Sequence, residues 1–323
     1  MQTLVLTLLL GASAAPSLVF SDQLPADRAA VFHARTAGGE PRALFSLPVA
    51  PGHVPRASLS PDGRTLAATT LLEGGHPERH GVLWRADLLT GVVRRLAERV
   101  LYLERPLVRA DGSVLFMRVT RVLPAPPERS AVGELDAVET EVLRATADGE
   151  EVLLRDVGYG LHFAGEVKQG LVLYRVAREE AAFYLLPASG GAWRRLADAP
   201  TGPFARDFSV AGGTVSFAAT TGSSARAGIF ALGVRAGTLR VVHEALNGHP
   251  SPLASASGVL ALDGEPGSER LVTLGTKRPA LLSGLAFPLA TGGGLVAVRR
   301  QTALAQELWL VPLDGGSPSR VPT

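Results

Sequence analysis

Residues 58–70 read Ser58-Leu59-Ser60-Pro61-Asp62-Gly63-Arg64-Thr65-Leu66-Ala67-Ala68-Thr69-Thr70. The centre of the stretch is turn chemistry. Proline presets φ, aspartate bonds back onto its own backbone, and glycine takes the positive φ of a tight reversal. Apolar segments flank the turn on both sides, so the stretch predicts a β-hairpin. Looser copies follow it. They are Asp111-Gly112 before Val114-Leu115-Phe116, Gln169-Gly170 before Leu171–Tyr174, Gly212-Gly213 before Val215-Ser216-Phe217, Ser257-Gly258 before Val259–Leu262, and Gly292–Gly294 before Leu295–Val298.

A second hairpin alternates with the first. An apolar or aromatic residue leads, a glycine follows seven positions later, and an aliphatic residue comes five positions after that. Phe32, Gly39 and Leu44 fit, as do Trp84, Gly91 and Leu96; Val142, Gly149 and Leu154; Tyr184, Gly191 and Leu196; Phe230, Gly237 and Val242; and Trp309, Gly316 and Val321. In a degenerate copy that begins at Arg270, Lys277 replaces the glycine and Leu282 keeps the aliphatic place. The mean spacing is about 46 residues, and periods in that range mark propellers and other repeat arrays. The leading residues Trp84, Tyr184, Phe230 and Trp309 share one repeat position, so they are expected in the core between blades.

The run Ser60-Pro61-Asp62-Gly63-Arg64-Thr65-Leu66-Ala67, followed by Leu83-Trp84-Arg85-Ala86-Asp87-Leu88-Leu89-Thr90-Gly91 and Arg94-Arg95-Leu96, resembles the TolB-like propeller repeat. The resemblance is close only over residues 58–96. It implies four-stranded blades and no chemistry, because the residues of that repeat are structural. Counting both hairpins gives an all-β, single β-propeller of four-stranded antiparallel blades. There are seven blades, the first incomplete and extended by the apolar segment Ser17–Ser21. A six-bladed ring, with the N-terminal hairpin joining the last sheet, is the competing count.

Composition narrows the function classes. The 323 residues carry Lys+Arg 32 against Asp+Glu 30, a formal charge of only +2. The basic pI of about 9.3 reflects arginine as nearly the sole base, with lysine only at Lys168 and Lys277. No basic stripe with stacking aromatics exists, so nucleic-acid binding is not expected. The absence of cysteine removes disulfides, thiolate metal sites and cysteine nucleophiles from this chain. The run Leu4–Leu10, followed by Ala12-Ser13-Ala14, has the form of a signal peptide over residues 1–14, and leaves one propeller domain over 15–323. The n-region lacks a basic residue, and a buried first strand is the other reading of the same run. The expected location is periplasmic or secreted, with no membrane span and a monomeric chain.

Catalytic signatures are scarce. There is no Gly-x-Ser-x-Gly elbow, no Gly-Lys phosphate loop and no His-Glu-x-x-His zinc helix. One constellation remains. Antiparallel register puts the turns within hairpins on one face of the propeller, and the connections between hairpins and between blades on the other. His53, His76, His80, His243 and His249 fall on that second face, with His162 beside it. Glu73, Glu78, Glu104, Asp156 and Glu244 fall on the same face or its rim. Imidazole with carboxylate suits a divalent metal or acid–base work, so His53, His76, His80, His243 and His249 are the candidate metal ligands. The long departure from the repeat, Arg121–Glu139, contributes Glu134 and Asp136 as candidate binding residues, together with Glu78 and Trp193. No cofactor is expected. The functional expectation is a non-enzymatic scaffold that holds a protein or peptide on its loop face. The alternative is an enzyme or metal-binding protein with a His/carboxylate site over the central channel.

Overall fold

The structure is a computed structural model that describes residues 17–22, 26–36, 39–123, 137–177, 180–199, 205–221, 226–244, 251–255, 257–265, 267–276, 279–292, 294–302 and 306–321. Among them every regular element is a strand. The first sheet is three-stranded: β1 (Ser17–Asp22), β2 (Ala29–Thr36) and β3 (Arg42–Pro48). Six four-stranded sheets follow in chain order. The second holds β4 (Arg56–Leu59), β5 (Thr65–Leu71), β6 (Gly81–Asp87) and β7 (Val93–Val100); the third holds β8 (Leu107–Val108), β9 (Val114–Leu123), β10 (Ala137–Thr146) and β11 (Gly149–Gly158). The fourth holds β12 (Gly160–Val167), β13 (Gly170–Val176), β14 (Ala181–Pro187) and β15 (Arg194–Asp198); the fifth holds β16 (Arg206–Ala211), β17 (Thr214–Thr221), β18 (Arg226–Gly233) and β19 (Thr238–Glu244). The sixth holds β20 (Leu253–Ser255), β21 (Gly258–Asp263), β22 (Arg270–Leu274) and β23 (Leu282–Ser283); the last holds β24 (Ala286–Gly292), β25 (Leu295–Gln301), β26 (Gln306–Pro312) and β27 (Ser319–Val321).

These are the blades of a seven-bladed β-propeller with an incomplete first blade. The N-terminal hairpin makes its own sheet with β1 and does not join β24–β27, which excludes the six-bladed count. By internal packing the chain falls into two compact units. One comprises Met1–Phe163, Arg175–Glu179 and Pro187–Ala192; the other comprises Ala164–Tyr174, Glu180–Leu186 and Trp193–Thr323.

The turn that announces the fold closes on itself through side chains. Asp62 Oδ1 accepts the Ser60 hydroxyl (2.5 Å) and the Arg64 N–H (3.1 Å), while Ser60 Oγ accepts the Thr65 N–H (2.9 Å). Gly63 has φ 71°, where a Cβ would be strained. These bonds hold the Asp62 carboxyl below its ordinary range, the Ser60 hydroxyl first and the Arg64 N–H second. Asp111 repeats the device with the Ser113 hydroxyl (2.6 Å) and N–H (2.9 Å).

Packing explains why strand alternation is blurred in the sequence. Leu66 and Ala68 of β5 bury one face against Val19, Ala30, Phe32 and Leu47 of the first blade. Ala67, on the opposite face, packs with Val114, Phe116 and Leu143 of the third. A strand covered on both faces needs apolar residues at every position. In the other unit, Leu260, Leu262 and Leu271 pack in the same way against Val296, Val298 and Val311. A run of rings also crosses that unit, Tyr174 and Phe208 meeting Phe183, Phe183 meeting Phe217, and Phe217 stacking on Phe230 at 5.5 Å.

Three of the four leading aromatics behave as the repeat predicts, Trp309 packing against the core of the last two blades, while Tyr184 is only half-buried. Phe230 is buried, and Trp84 packs into the core between the first two blades while its Nε1–H donates to Thr70 Oγ1 (2.9 Å). The fourth strands β7, β11, β15 and β19 carry many exposed positions, while the first strands β4, β8 and β20 are more sheltered.

Candidate functional site

Hydrogen bonds confirm the two faces within the first unit. The Leu88 N–H donates to Arg64 O (2.8 Å), which ties the β6–β7 turn to the β4–β5 turn. On the opposite side the Tyr102 N–H donates to Pro77 O (2.9 Å), which ties the connection between blades two and three to the β5–β6 loop. The site is built on this second face.

Tyr102 is its anchor. The side chain is buried, and its hydroxyl donates to Val54 O (2.6 Å) and accepts from Val54 N–H (3.1 Å). One residue thereby fixes the connection between blades one and two, the β5–β6 loop and its own connection. Thr69, at the end of β5 and 1% exposed, places its hydroxyl 3.5 Å from Tyr102 O and 3.4 Å from Glu104 O. The backbone that carries Glu104 is thus held from two directions.

From this support Glu104 reaches the start of the fourth blade. Its Oε1 accepts the Phe163 N–H (3.1 Å), and its Oε2 lies 3.0 Å from His162 Nδ1. The Glu104 side chain is 13% exposed and that of His162 is 45% exposed. His162 lies near the beginning of β12, the first strand of its sheet. A carboxylate on Nδ1 selects the tautomer with Nδ1–H and turns Nε2 into the basic nitrogen. The arrangement is a shielded carboxylate that orients a half-exposed imidazole, which is suited to moving one proton at Nε2.

The expected site residues are distributed around and away from this pair. His53 meets Tyr102 edge-on, ring centroids 5.6 Å apart, and so borders the site. His80 Nδ1 accepts the His76 N–H (2.9 Å) and His76 Nδ1 accepts the Glu78 N–H (3.3 Å). Both rings, and the backbone of Glu78, therefore serve the conformation of their own loop. His243 belongs to the other unit, where its Nε2 lies 3.3 Å from Asp263 Oδ1, and Asp263 also receives Arg270 (3.3 Å). Trp193 stacks on Tyr184 with centroids 4.4 Å apart. His249, Glu134 and Asp136 lie outside the described residues. Among the described residues no group of three or more His, Asp or Glu side chains is arranged to hold a metal ion.

Part of the Arg121–Glu139 departure is strand, not loop. β9 and β10 are ten residues each, and Arg121 pairs with Glu139 in register and as an ion pair (3.3 Å). No described helix is long and apolar enough to cross a membrane.

No known family's sequence profile matches the chain, and no curated protein sequence matches it. Solved structures do. The β-propeller domain of the Trilobed protease from Pyrococcus furiosus matches 99% of this chain and 98% of its own at TM-score 0.66 and 12% identity. Acylaminoacyl peptidase matches 98% of this chain at TM-score 0.69 and 14% identity, but only 52% of its own, so the chain spans about half the length of that peptidase. Oligogalacturonate lyase in complex with manganese matches 92% of this chain and 86% of its own at TM-score 0.63 and 10% identity. TolB from Acinetobacter baumannii is also matched, at TM-score 0.53 and 12% identity over 93% of this chain and 61% of its own. Likeness at these identities shows the propeller fold. It also corrects one expectation. The matched propellers belong mostly to peptidases and a lyase, so a non-enzymatic binding scaffold has no support.

Proposed function

We propose that the chain is a propeller enzyme, acting alone or as the propeller of a longer one, and that its acid–base site is the Glu104–His162 pair on the loop face. The observation that carries this reading is the bonding of Glu104. One carboxylate oxygen is taken by a backbone N–H and the other by an imidazole, on a loop held from several sides. In this reading His162 Nε2 removes a proton from the substrate or from a water. Glu104 keeps the ring in its reactive tautomer and stabilises the imidazolium that results. The pair suits proton transfer at a C–H bond or at a water. The matched lyase, whose chain the propeller nearly fills, is the precedent for a reaction housed on this fold.

The test is an assay of the purified full chain against oligouronides and aminoacyl anilides, repeated with His162→Gln and Glu104→Gln. Turnover in one assay is expected, falling by about 10²- to 10⁴-fold in His162→Gln. Undiminished turnover in that variant, or no turnover of either substrate class, would sink the proposal. The same reading takes residues 1–14 as a removable leader, residues 15–323 as one domain, and the location as periplasmic or secreted. It is supported by the apolar run Leu4–Leu10 ahead of Ala12-Ser13-Ala14. A secreted or periplasmic product that begins at Met1 would overturn it.

A further inference from the structure

Arg56 differs from three other partly buried arginines. Arg118, Arg144 and Arg175 are each paired with a carboxylate, Glu150, Glu151 and Asp156 respectively. Arg56 is partly buried on β4, and its Nε is shut off from solvent without a hydrogen-bond partner. Arg118 Nε is likewise buried, but Glu150 holds the Nη2 end of that guanidinium at 2.8 Å. Among the described residues no carboxylate takes that role for Arg56. A buried N–H without an acceptor costs free energy that a bound acceptor would recover.

Register gives its direction. Arg56 is paired with Thr69 across β4 and β5, so the two side chains leave the sheet on the same face. The Thr69 hydroxyl touches the Arg56, Tyr102 and Glu104 carbonyls within 3.5 Å. The backbone of Arg56, on the first strand of its sheet, therefore lies beside the backbone that carries Glu104. Ser58 is two residues further along the same face, and its hydroxyl is also buried without a partner. Two unsatisfied donors thus lie roughly 7 Å apart along one strand, on the face that β4 and β5 turn toward the third blade.

We propose that Arg56, with Ser58, anchors a carboxylate carried by the substrate of the Glu104–His162 site, so that the enzyme acts on acidic substrates. The inference rests on the acid–base reading of that site. A carboxylate taken side-on by Nε–H and one Nη–H, after a small rotation of the guanidinium, gives the buried donor its acceptor. A carboxylate monoanion matches the single charge of one guanidinium, whereas a phosphate dianion leaves its second charge unpaired.

The experiment follows the Arg56 Nε–Hε resonance in the full chain, labelled with nitrogen-15, during titration with succinate, with succinamide as the neutral control and with inorganic phosphate. Saturable movement with succinate only is expected, with affinity about 10- to 100-fold weaker in Arg56→Gln and partly kept in Arg56→Lys. No saturable movement in the wild-type chain, equal response to succinamide, or tighter binding of phosphate would each overturn the proposal. The wild-type titration decides even if Arg56→Gln does not fold. Failure here is separable from failure of the enzyme reading. If succinate binds through Arg56 while His162→Gln turns over normally, the anion anchor stands and the acid–base pair falls. If His162→Gln is dead while succinate leaves Arg56 unmoved, the reverse holds.

Discussion

Tyr102→Phe isolates the hydroxyl that joins three connections of the loop face. The ring is 3% exposed and its shape is kept by phenylalanine, so no cavity term enters. What is lost is the donation to Val54 O at 2.6 Å and the acceptance from Val54 N–H at 3.1 Å. Each bond contributes about 1 kcal/mol net, and a half-buried N–H and C=O left facing the ring add about 1 kcal/mol more when water reaches them only in part. The expected destabilisation is about 2–3 kcal/mol. Read as a midpoint in urea, it should appear as a lower midpoint with an unchanged slope, because the loss does not alter the surface exposed on unfolding. Amide exchange should accelerate at Val54, and at Tyr102, whose own N–H is held by Pro77 O, before it accelerates in the sheets. Tyr102→Ala should cost about 3–5 kcal/mol, because it adds a cavity. A Tyr102→Phe chain with the wild-type midpoint and wild-type exchange at Val54 would refute the view that this hydroxyl organises the face.

Two further outcomes follow from the same geometry. A Cβ on Gly165, at φ 140°, would clash with Val210 Cγ2, so Gly165→Ala should destabilise by about 1–3 kcal/mol, and Val210→Ala should recover part of that loss in a double-mutant cycle measured by urea melts. Additive losses would show that the two residues do not touch. Asp62, Asp87 and Asp111 are held below the ordinary carboxyl value of 3.8, chiefly by the Ser60 hydroxyl, the Thr90 N–H and the Ser113 hydroxyl respectively. A depressed folded value means the contribution is complete above the unfolded value and disappears as pH falls through the lower, folded one. Stability should therefore drop below about pH 4, and Asp111→Asn should flatten that drop in melts taken between pH 5 and pH 2; an unchanged acid limb counts against the turn carboxylates as its source.

The hairpin at 58–70 and its spaced copies were enough to read seven blades with a short first one. The reason is local. A Pro-Asp-Gly turn with a serine before it carries its own hydrogen-bonding partners, and Asp62 does cap its own turn. The aromatic repeat position was readable for a similar reason, since one backbone geometry repeated along the chain places one residue in the same environment each time. The imperfect alternation in β5 was readable too, once both faces of a blade are taken to be covered.

The site was legible only in outline. Register put Glu104 on the loop face or its rim and His162 beside that face, and it named five other histidines as the candidate ligands. His76 and His80 make the densest cluster in the sequence, yet the structure turns their Nδ1 atoms to their own loop. Tyr102 and Arg56 carry no motif. Their signal, a buried hydroxyl clamping a distant residue and a guanidinium without an acid, exists only once the blades are side by side.

The sequence by itself determined the blade, its turns and its number, because those follow from φ preferences, side-chain-to-backbone bonds and apolar spacing within about 46 residues. Only the tertiary structure decided which polar groups meet. Glu104 and His162 are 58 residues apart, on the connection into one blade and the first strand of the next. Their contact depends on how far a short connection projects across a two-residue strand, and no local pattern encodes that distance.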